Sequence, residues 1–300
     1  MPLLVSLCSR TQVAPEALIA YEPSDQRVVP VSLPDPGHGV LGLCLRNGIV
    51  YCVVDRGRPT ASEPELSELY ALDADTLSIR WRYGFQIGRD VHSIASGDGG
   101  LYAVSTGTDE LLFLELDGEG VIARETVYWQ PDPEGGRQDL HHLNSVRSHS
   151  SSVIVSGLGK KPSPSAQWRA ARAGFVEDVV ERRRLLGPLY HPHSLCWLEN
   201  ELAVCESPFR RVVSTSGRQS TQLPGYARGL CVEARNLYVG ASRGRRPQEA
   251  PSILAYEDGI SESADTCAIC HLDVTDLTLK RLTSLEPHGR EVYDIIAIPG

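Results

Sequence analysis

Short apolar runs that begin with polar residues recur along the chain at intervals of about 50 residues, which is a period typical of repeat architectures. Six segments share one pattern, in which a variable residue is followed by a small or polar residue and then by aliphatic residues. These segments are Gly39–Leu45, Asp90–Ala95, His142–Val146, His191–Trp197, Tyr226–Val232 and Glu291–Ala297. The regular recurrence predicts one structural unit that is repeated six times.

Each segment except the last is followed by a short turn and a second apolar run. Gly48–Val54 and Gly100–Val104 are examples, and in most units a hairpin comes next. Runs of Val, Ile, Tyr and Leu that are bounded by Gly, Asn and Ser are typical of β-strands. Four such strands form one blade of a β-propeller.

The sixth unit has only its first strand before the sequence stops at Gly300. Residues 3–33 contain three strand-like runs that belong to no other unit. Completing one blade from both ends of the chain would close the ring and remove exposed sheet edges. The sequence therefore predicts an all-β fold. It is a single domain over residues 1–300, a six-bladed β-propeller closed by N-terminal strands that complete the last blade.

The longest predicted connections all fall on one face of this propeller, and the first residues of the six inner strands point to the axis at the same face. Loops on a rigid scaffold commonly carry function. The side chains at these strand starts are unusually polar. They are Asp90, His92, His142, Asn144, His191, His193, Tyr226, Arg228, Glu291, Tyr293 and Asp294. A water-filled axis lined by polar groups is the alternative explanation.

Three of these residues, His92, His142 and His193, come from consecutive units and are the predicted metal ligands. Imidazoles that converge with a carboxylate, Asp90 or Glu291, favour iron, manganese or zinc over calcium. The predicted catalytic residues are Asp90, Glu291, Tyr293 and Asp294. The predicted substrate-binding residues are Asn144, His191, Tyr226, Arg228 and Arg243.

The long loops of the same face also carry basic residues. They are Arg56, Arg58, Lys160, Lys161, Arg169, Arg172, Arg210, Arg243, Arg245 and Arg246. A focused positive potential would attract a small anionic molecule. The alternative is that these charges only keep the face soluble.

The overall composition limits the partners. A formal charge of -9 and a pI near 5.5 argue against a nucleic-acid surface, and no apolar stretch is long enough to span a membrane. Residues 1–20 lack the pattern of a secretion signal, so we expect a cytoplasmic protein. The eight cysteines are then expected to be unpaired, because at least five lie in strand runs as small core residues.

Five segments resemble an uncharacterised family of bacterial propeller proteins known as a domain of unknown function, and the likeness covers about residues 90–300. They are His142–Asn144, Pro192–Ser194, Leu223–Leu230, Gly240–Arg243 and Glu291–Asp294. More distantly, the sequence is similar to the gluconolactonase and regucalcin group. That resemblance implies a six-bladed propeller with a divalent metal on the axis, held mostly by carboxylates and Asn. The present sequence has His at the corresponding places.

Two hypotheses of different classes follow. The first is a metal-dependent enzyme that acts on a small anionic substrate at the axis, with hydrolase, lyase, isomerase and oxygenase chemistry all open. The second is a non-catalytic propeller that binds a small anion or a protein partner. The sequence predicts no oligomeric state.

Overall fold

The computed structural model describes residues 1–9, 16–57, 67–163, 166, 168–243 and 266–299. Strands dominate this part of the chain, and its four 3-10 helices have three residues each. Within the described ranges, no helix is long and apolar enough to cross a membrane. The strands are β1 Leu3–Cys8, β2 Leu18–Glu22, β3 Arg27–Pro30, β4 Gly39–Arg46, β5 Ile49–Asp55, β6 Ser67–Asp73, β7 Ile79–Gly84, β8 Val91–Gly97, β9 Gly100–Ser105, β10 Glu110–Leu116, β11 Ile122–Trp129, β12 Leu143–His149, β13 Ser152–Gly157, β14 Gly174–Asp178, β15 Arg183–Leu189, β16 Pro192–Leu198, β17 Glu201–Glu206, β18 Arg211–Ser214, β19 Tyr226–Glu233, β20 Asn236–Ser242, β21 Ala268–Asp273, β22 Leu279–Ser284 and β23 Glu291–Ala297.

The strands pair as antiparallel meanders that follow the predicted repeat. β4–β7, β8–β11, β12–β15, β16–β18 and β19–β22 each form one meander. The inner strands β4, β8, β12, β16, β19 and β23 contact one another in turn, and β23 contacts β4. The inner strands therefore close a ring around one axis, and the predicted all-β propeller is confirmed.

The ring is closed by strands from both ends of the chain. β23 pairs antiparallel with β1, so that Leu3 lies opposite Ala297 and Cys8 opposite Glu291. β1 then pairs with β2, and β2 with β3. The predicted completion of the last blade by residues 3–33 is thus confirmed, because β1, β2 and β3 follow β23 in order in one antiparallel sheet.

Blade packing supplies the core. Six clusters of buried apolar side chains each lie between two neighbouring meanders, and the clusters follow one another around the ring. Tyr51 and Tyr70 are fully buried and belong to the clusters on either side of one blade. All eight cysteines are buried and free, which agrees with their assignment to strand interiors.

The prediction of four strands per unit is wrong for one blade. The meander β16–β18 has three described strands, and a single bridge from Val213 to Gln219 stands in place of a fourth. The segment between Ser214 and Leu223 is too polar and too rich in Gly, Ser and Thr to continue an apolar run.

We expect Gly39→Ala to lower the free energy of unfolding by on the order of 3 kcal/mol, because the alanine would suffer both backbone strain and a steric clash. Gly39 has φ +133°, and a Cβ there would lie 2.4 Å from the Leu7 carbonyl oxygen and 2.5 Å from the Cys8 Cα. Cys8 and Gly39 form the single residue pair through which β1 joins β4 among the described strands.

Urea unfolding of the variant measures the loss. Gly84→Ala is the matched control, because a Cβ at that strand end meets nothing within 4 Å. Equal midpoints for Gly39→Ala and the wild type would contradict a strict requirement for glycine at the closure.

Candidate functional site

Five of the six inner strands present polar residues to the axis in two layers, at or just before the start of the strand; in β4 the equivalent residues are Gly39 and Leu41. The pocket layer consists of His92, Asn144, His193, Arg228 and Tyr293. The rim layer consists of the residues two positions earlier, Asp90, His142, His191, Tyr226 and Glu291. Residues two apart on a strand share one side, so each rim residue lies one step along the axis from its pocket partner.

Three of the rim residues have unusual backbone geometry. Asp90, His142 and His191 have φ of 46°, 50° and 46°, in the left-handed region that non-glycine residues seldom adopt. Such strain persists only where surrounding contacts hold it, and it concentrates at functional sites. A β-bulge also interrupts the pairing of β8, β12, β16 and β19 beside the pocket residue.

The small residue after each pocket residue links one blade to the next. The Oγ atoms of Ser93, Ser145 and Ser194 accept hydrogen bonds from the backbone N–H of Val146, Ser194 and Gly229 in the following blades. Asp294 takes the same place in the sixth blade, because its Oδ2 accepts from Leu43 N at 3.0 Å and its Oδ1 from Ile295 N at 2.9 Å. These bonds give Asp294 a structural part in ring closure.

A narrow pocket runs down the axis within this ring. It is lined by the pocket layer and, deeper, by residues that include Ser145, Arg147 and Asp294. Its cavity volume is about 20 Å³, on a scale where one water needs about 10–15 Å³. The pocket therefore has room for one small polar group, such as the head of an acid.

Arg228 is the central charge of the pocket. Its guanidinium lies over the rings of Tyr226 and Tyr293, at 5.2 and 4.8 Å from their centroids. Its Nη2 donates to His193 Nε2 at 3.0 Å. Its Nε and Nη1 are buried, and neither has a hydrogen-bond partner among the described residues. No described carboxylate pairs with it.

His193 holds Arg228 in place as a neutral acceptor. Its Nδ1 donates to the His191 carbonyl at 2.9 Å, so the other nitrogen, Nε2, carries the lone pair that Arg228 meets. Burial, followed by the charge of Arg228, holds the pKa of His193 well below its usual range. The imidazole is thus committed to the arginine.

Two further groups make the pocket favourable to an anion. The Asn144 side chain is buried, and its Nδ2 has no hydrogen-bond partner within the described part of the chain. Arg147 is a second cation in the lining. The one acid that lines the pocket, Asp294, has its pKa raised to about 6 by burial. Donors and positive charge therefore exceed acceptors.

Two histidines, His92 of the pocket layer and His142 of the rim layer, are paired with acids. His92 Nε2 lies 3.0 Å from Asp90 Oδ1, and His142 Nδ1 lies 3.1 Å from Asp139 Oδ1. The His92 and His142 rings meet edge to face at 5.3 Å. His191 donates from Nε2 to the carbonyl of Trp168 at 3.1 Å, and burial lowers the pKa of His191 to about 3.

Trp168 covers this rim. The centroids of its indole and of the His142 ring are 4.4 Å apart. The Nζ atom of Lys161 also lies over the indole, 4.0 Å from its centroid. Trp168 begins a short 3-10 helix, Trp168–Ala170, in the long connection between β13 and β14. The predicted placement of a long loop at the working face is consistent with this contact.

The three predicted metal ligands do not form a common coordination set. His92 and His193 belong to the pocket layer, whereas His142 belongs to the rim, because Asn144 has the equivalent place in its blade. Both nitrogens of His193 are engaged, one by the cation of Arg228. Among the described residues, no three His, Cys, Asp or Glu side chains are arranged to hold a metal ion. The described site therefore does not fit the predicted transition metal.

The other predicted residues are spread over several environments. Glu291 lies at the rim, where Cys8 Sγ approaches its Oε2 at 3.8 Å. Arg243 lies outside the pocket lining and pairs with Glu286 at 3.4 Å.

Three of the ten basic loop residues, Arg56, Lys160 and Arg243, are paired with acids. Arg56 pairs with Asp35 and Glu68, and Lys160 pairs with Asp132. These ion pairs weaken the predicted positive rim. Arg58, Arg245, Arg246 and the side chain of Arg169 lie outside the described residues.

Three residues of the site were missed by the sequence reasoning. Asp139 precedes His142 by three positions, Trp168 lies in a long connection, and Arg147 follows Asn144 by three positions on the inner strand. The position of Arg147 in the repeat could have revealed it, because Cys44, Cys196 and Cys231 have the same place in other blades. Nothing in the sequence marks Trp168.

Comparisons with known proteins agree on the fold. The sequence profile of a domain of unknown function, DUF4915, matches residues 62–300. A nidogen/laminin complex contains a chain of similar structure, with a TM-score of 0.64, 10% identity and coverage of 99% of this chain and 98% of that one.

Two further solved structures are similar. A putative 6-phosphogluconolactonase from Bacteroides fragilis has a TM-score of 0.58 at 14% identity, covering 96% of this chain and 83% of that one. A luciferin-regenerating enzyme has a TM-score of 0.51 at 12% identity, covering 82% and 76%. No protein with curated function matches the sequence. At these identities the structural matches show the propeller fold alone.

Proposed function

The chain belongs to the DUF4915 family, and we propose that it binds a small organic acid on the propeller axis, with the carboxylate of that acid held by Arg228. The predicted membership of an uncharacterised propeller family is confirmed by the match. The proposal keeps the anionic ligand that the sequence predicted and places it at the pocket layer.

The observation that carries the proposal is the state of the Arg228 guanidinium. A buried charge without a counter-charge costs several kcal/mol, and buried N–H groups normally have partners. Arg228 has two unpartnered nitrogens, and no described carboxylate forms an ion pair or hydrogen bond with it. A ligand carboxylate would supply both the missing charge and the missing acceptors, since its two oxygens match the fork of a guanidinium.

The size of the pocket favours a carboxylate as the bound group. A cavity of about 20 Å³ holds little more than one water-sized group, so it fits an oxygen of a carboxylate and excludes a bulky group. The Asn144 amide and Arg147 add donors on the same wall. The rest of the ligand would extend along the axis toward the rim layer.

Calorimetric titration of the protein tests this function. We expect adipate to bind and adipamide, its neutral counterpart, to give no heat, because the charge of the acid is what Arg228 lacks. Raising the ionic strength should weaken adipate binding only modestly, since buried pairs are poorly screened. Equal binding of adipamide, or tighter binding of inorganic phosphate than of any carboxylate, would contradict the proposal.

A further inference from the structure

The pair of His142 and Asp139 lies at the rim, one layer along the axis from Arg228. His142 Nδ1 is 3.1 Å from Asp139 Oδ1 and 3.2 Å from Oδ2. A histidine that donates Nδ1–H to a carboxylate keeps Nε2 as a base and is fixed in its tautomer. No described residue forms a hydrogen bond with Nε2 of His142.

Packing fixes the orientation of this imidazole. Trp168 contacts one side of the ring at 4.4 Å, and His92 meets it edge-on at 5.3 Å. The backbone of His142 is held at φ 50°. A side chain locked by neighbours in this way has the preorganisation that proton transfer requires.

Three other histidines, His141, His191 and His193, are committed to structural contacts, whereas His92 packs edge-on against His142 and has its Nε2 at Asp90. His191 fixes the Trp168 carbonyl, and His193 fixes Arg228. His141 pairs with Asp109, but that carboxylate also accepts the backbone N–H of Leu140 and His141 and so shapes the turn. Among the described residues, His142 and Asp139 form hydrogen bonds with each other but hold no backbone group or other side chain in place.

We propose that the site hydrolyses an ester or lactone of the bound acid, with His142 as the general base and Asp139 as the residue that positions it. The proposal rests on the acid-binding function above. The pocket and rim layers are two strand residues apart, which is about 7 Å. The reacting carbonyl of the substrate therefore lies about that far from the carboxylate that Arg228 holds.

The reaction needs only water as a second reactant. Nε2 of His142 takes one proton from a water molecule as the water oxygen bonds to the carbonyl carbon, and the carbonyl π electrons move to oxygen. The tetrahedral intermediate then re-forms the C=O bond and expels the alkoxide. The proton on His142 passes to that leaving oxygen, so the products are a carboxylic acid and an alcohol.

The mono-4-nitrophenyl ester of adipic acid is the probe, because it carries a free carboxylate and an ester at about the required separation. Release of 4-nitrophenolate gives the rate. We expect the wild type to hydrolyse it, and His142→Gln to lower kcat by roughly 10²–10⁴ with little change in KM. Asp139→Asn should lower kcat with little change in KM, because the carboxylate no longer accepts from Nδ1 and the tautomer that leaves Nε2 as the base is no longer fixed.

His149→Gln is the matched control. His149 is exposed at the other end of the same strand, against Trp197 at 5.1 Å, and the variant should keep the wild-type rate. An unchanged kcat in His142→Gln would overturn the assignment. So would the failure of the wild type to hydrolyse the ester while it still binds adipate, which would leave acid binding intact. Failure of the wild type to bind adipate would instead overturn both the proposed acid binding and the proposed hydrolysis.

Discussion

Replacing Arg228 with Met should weaken adipate binding at least about a hundredfold, because two charge-assisted hydrogen bonds of about 1.5–3 kcal/mol each are removed. Arg228 is buried, and its guanidinium is aligned by His193, Tyr226 and Tyr293. Arg228→Lys should recover only part of the affinity, since an ammonium lacks the planar fork. Calorimetric titration of both variants with adipate gives the comparison.

The stability of the same variant is a second measurement. Replacing Arg228 removes the cost of two buried nitrogens that have no hydrogen-bond partner, but it also leaves His193 Nε2 without its donor. These effects oppose each other, so we expect the thermal unfolding midpoint of Arg228→Met to stay close to that of the wild type. Arg124→Met is the control, because Arg124 is exposed on β11 and pairs with Glu115. Full affinity for adipate in Arg228→Met would contradict the proposed function.

The fold was accessible from the sequence because the repeat and the pleat impose one pattern. Inner strands begin with polar residues and continue with aliphatic ones, and this order recurs wherever a blade meets the axis. The orphan strands of residues 3–33 had only the incomplete blade at Glu291–Ala297 to join. The fourth blade departs from the repeat because its outer segment lacks the apolar residues of a strand.

The site was accessible only in part. Matching the repeat placed His92, His193 and Arg228 at the axis, but it did not separate the layer of His142 from that of Asn144. His142 lies two residues before Asn144, and this offset places its imidazole in a different layer from those of His92 and His193. The sequence also does not show that His193 is engaged by Arg228, because the contact joins strands of two different blades. Trp168 is brought to the rim by a long connection that carries no periodic signal.

Acidification should destabilise the protein through His191. Burial lowers the pKa of His191 to about 3, from an ordinary value of 6.5. As the pH falls below 6.5, the unfolded chain takes up a proton that the folded chain refuses, so stability present above pH 6.5 is lost progressively toward pH 3. Between pH 7 and pH 4.5 the loss from this one residue is about 3 kcal/mol. His193 acts in the same direction.

Asp294 acts in the opposite direction and has to be separated from His191. Its pKa is raised from 3.8 to about 6, so its contribution is present at low pH and lost as the pH rises through 6. Between pH 7 and pH 4.5 it returns about 2 kcal/mol of stability. The total change in unfolding free energy therefore hides the effect of His191.

Comparison of His191→Gln with the wild type isolates that effect, because Asp294 and His193 are common to both. The glutamine amide can still donate to the Trp168 carbonyl, and its cost at φ 46° is the same at every pH. In urea unfolding, we expect the variant to gain about 3 kcal/mol relative to the wild type on going from pH 7 to pH 4.5. A difference between the two proteins that does not change with pH would mean that His191 becomes protonated in the folded state.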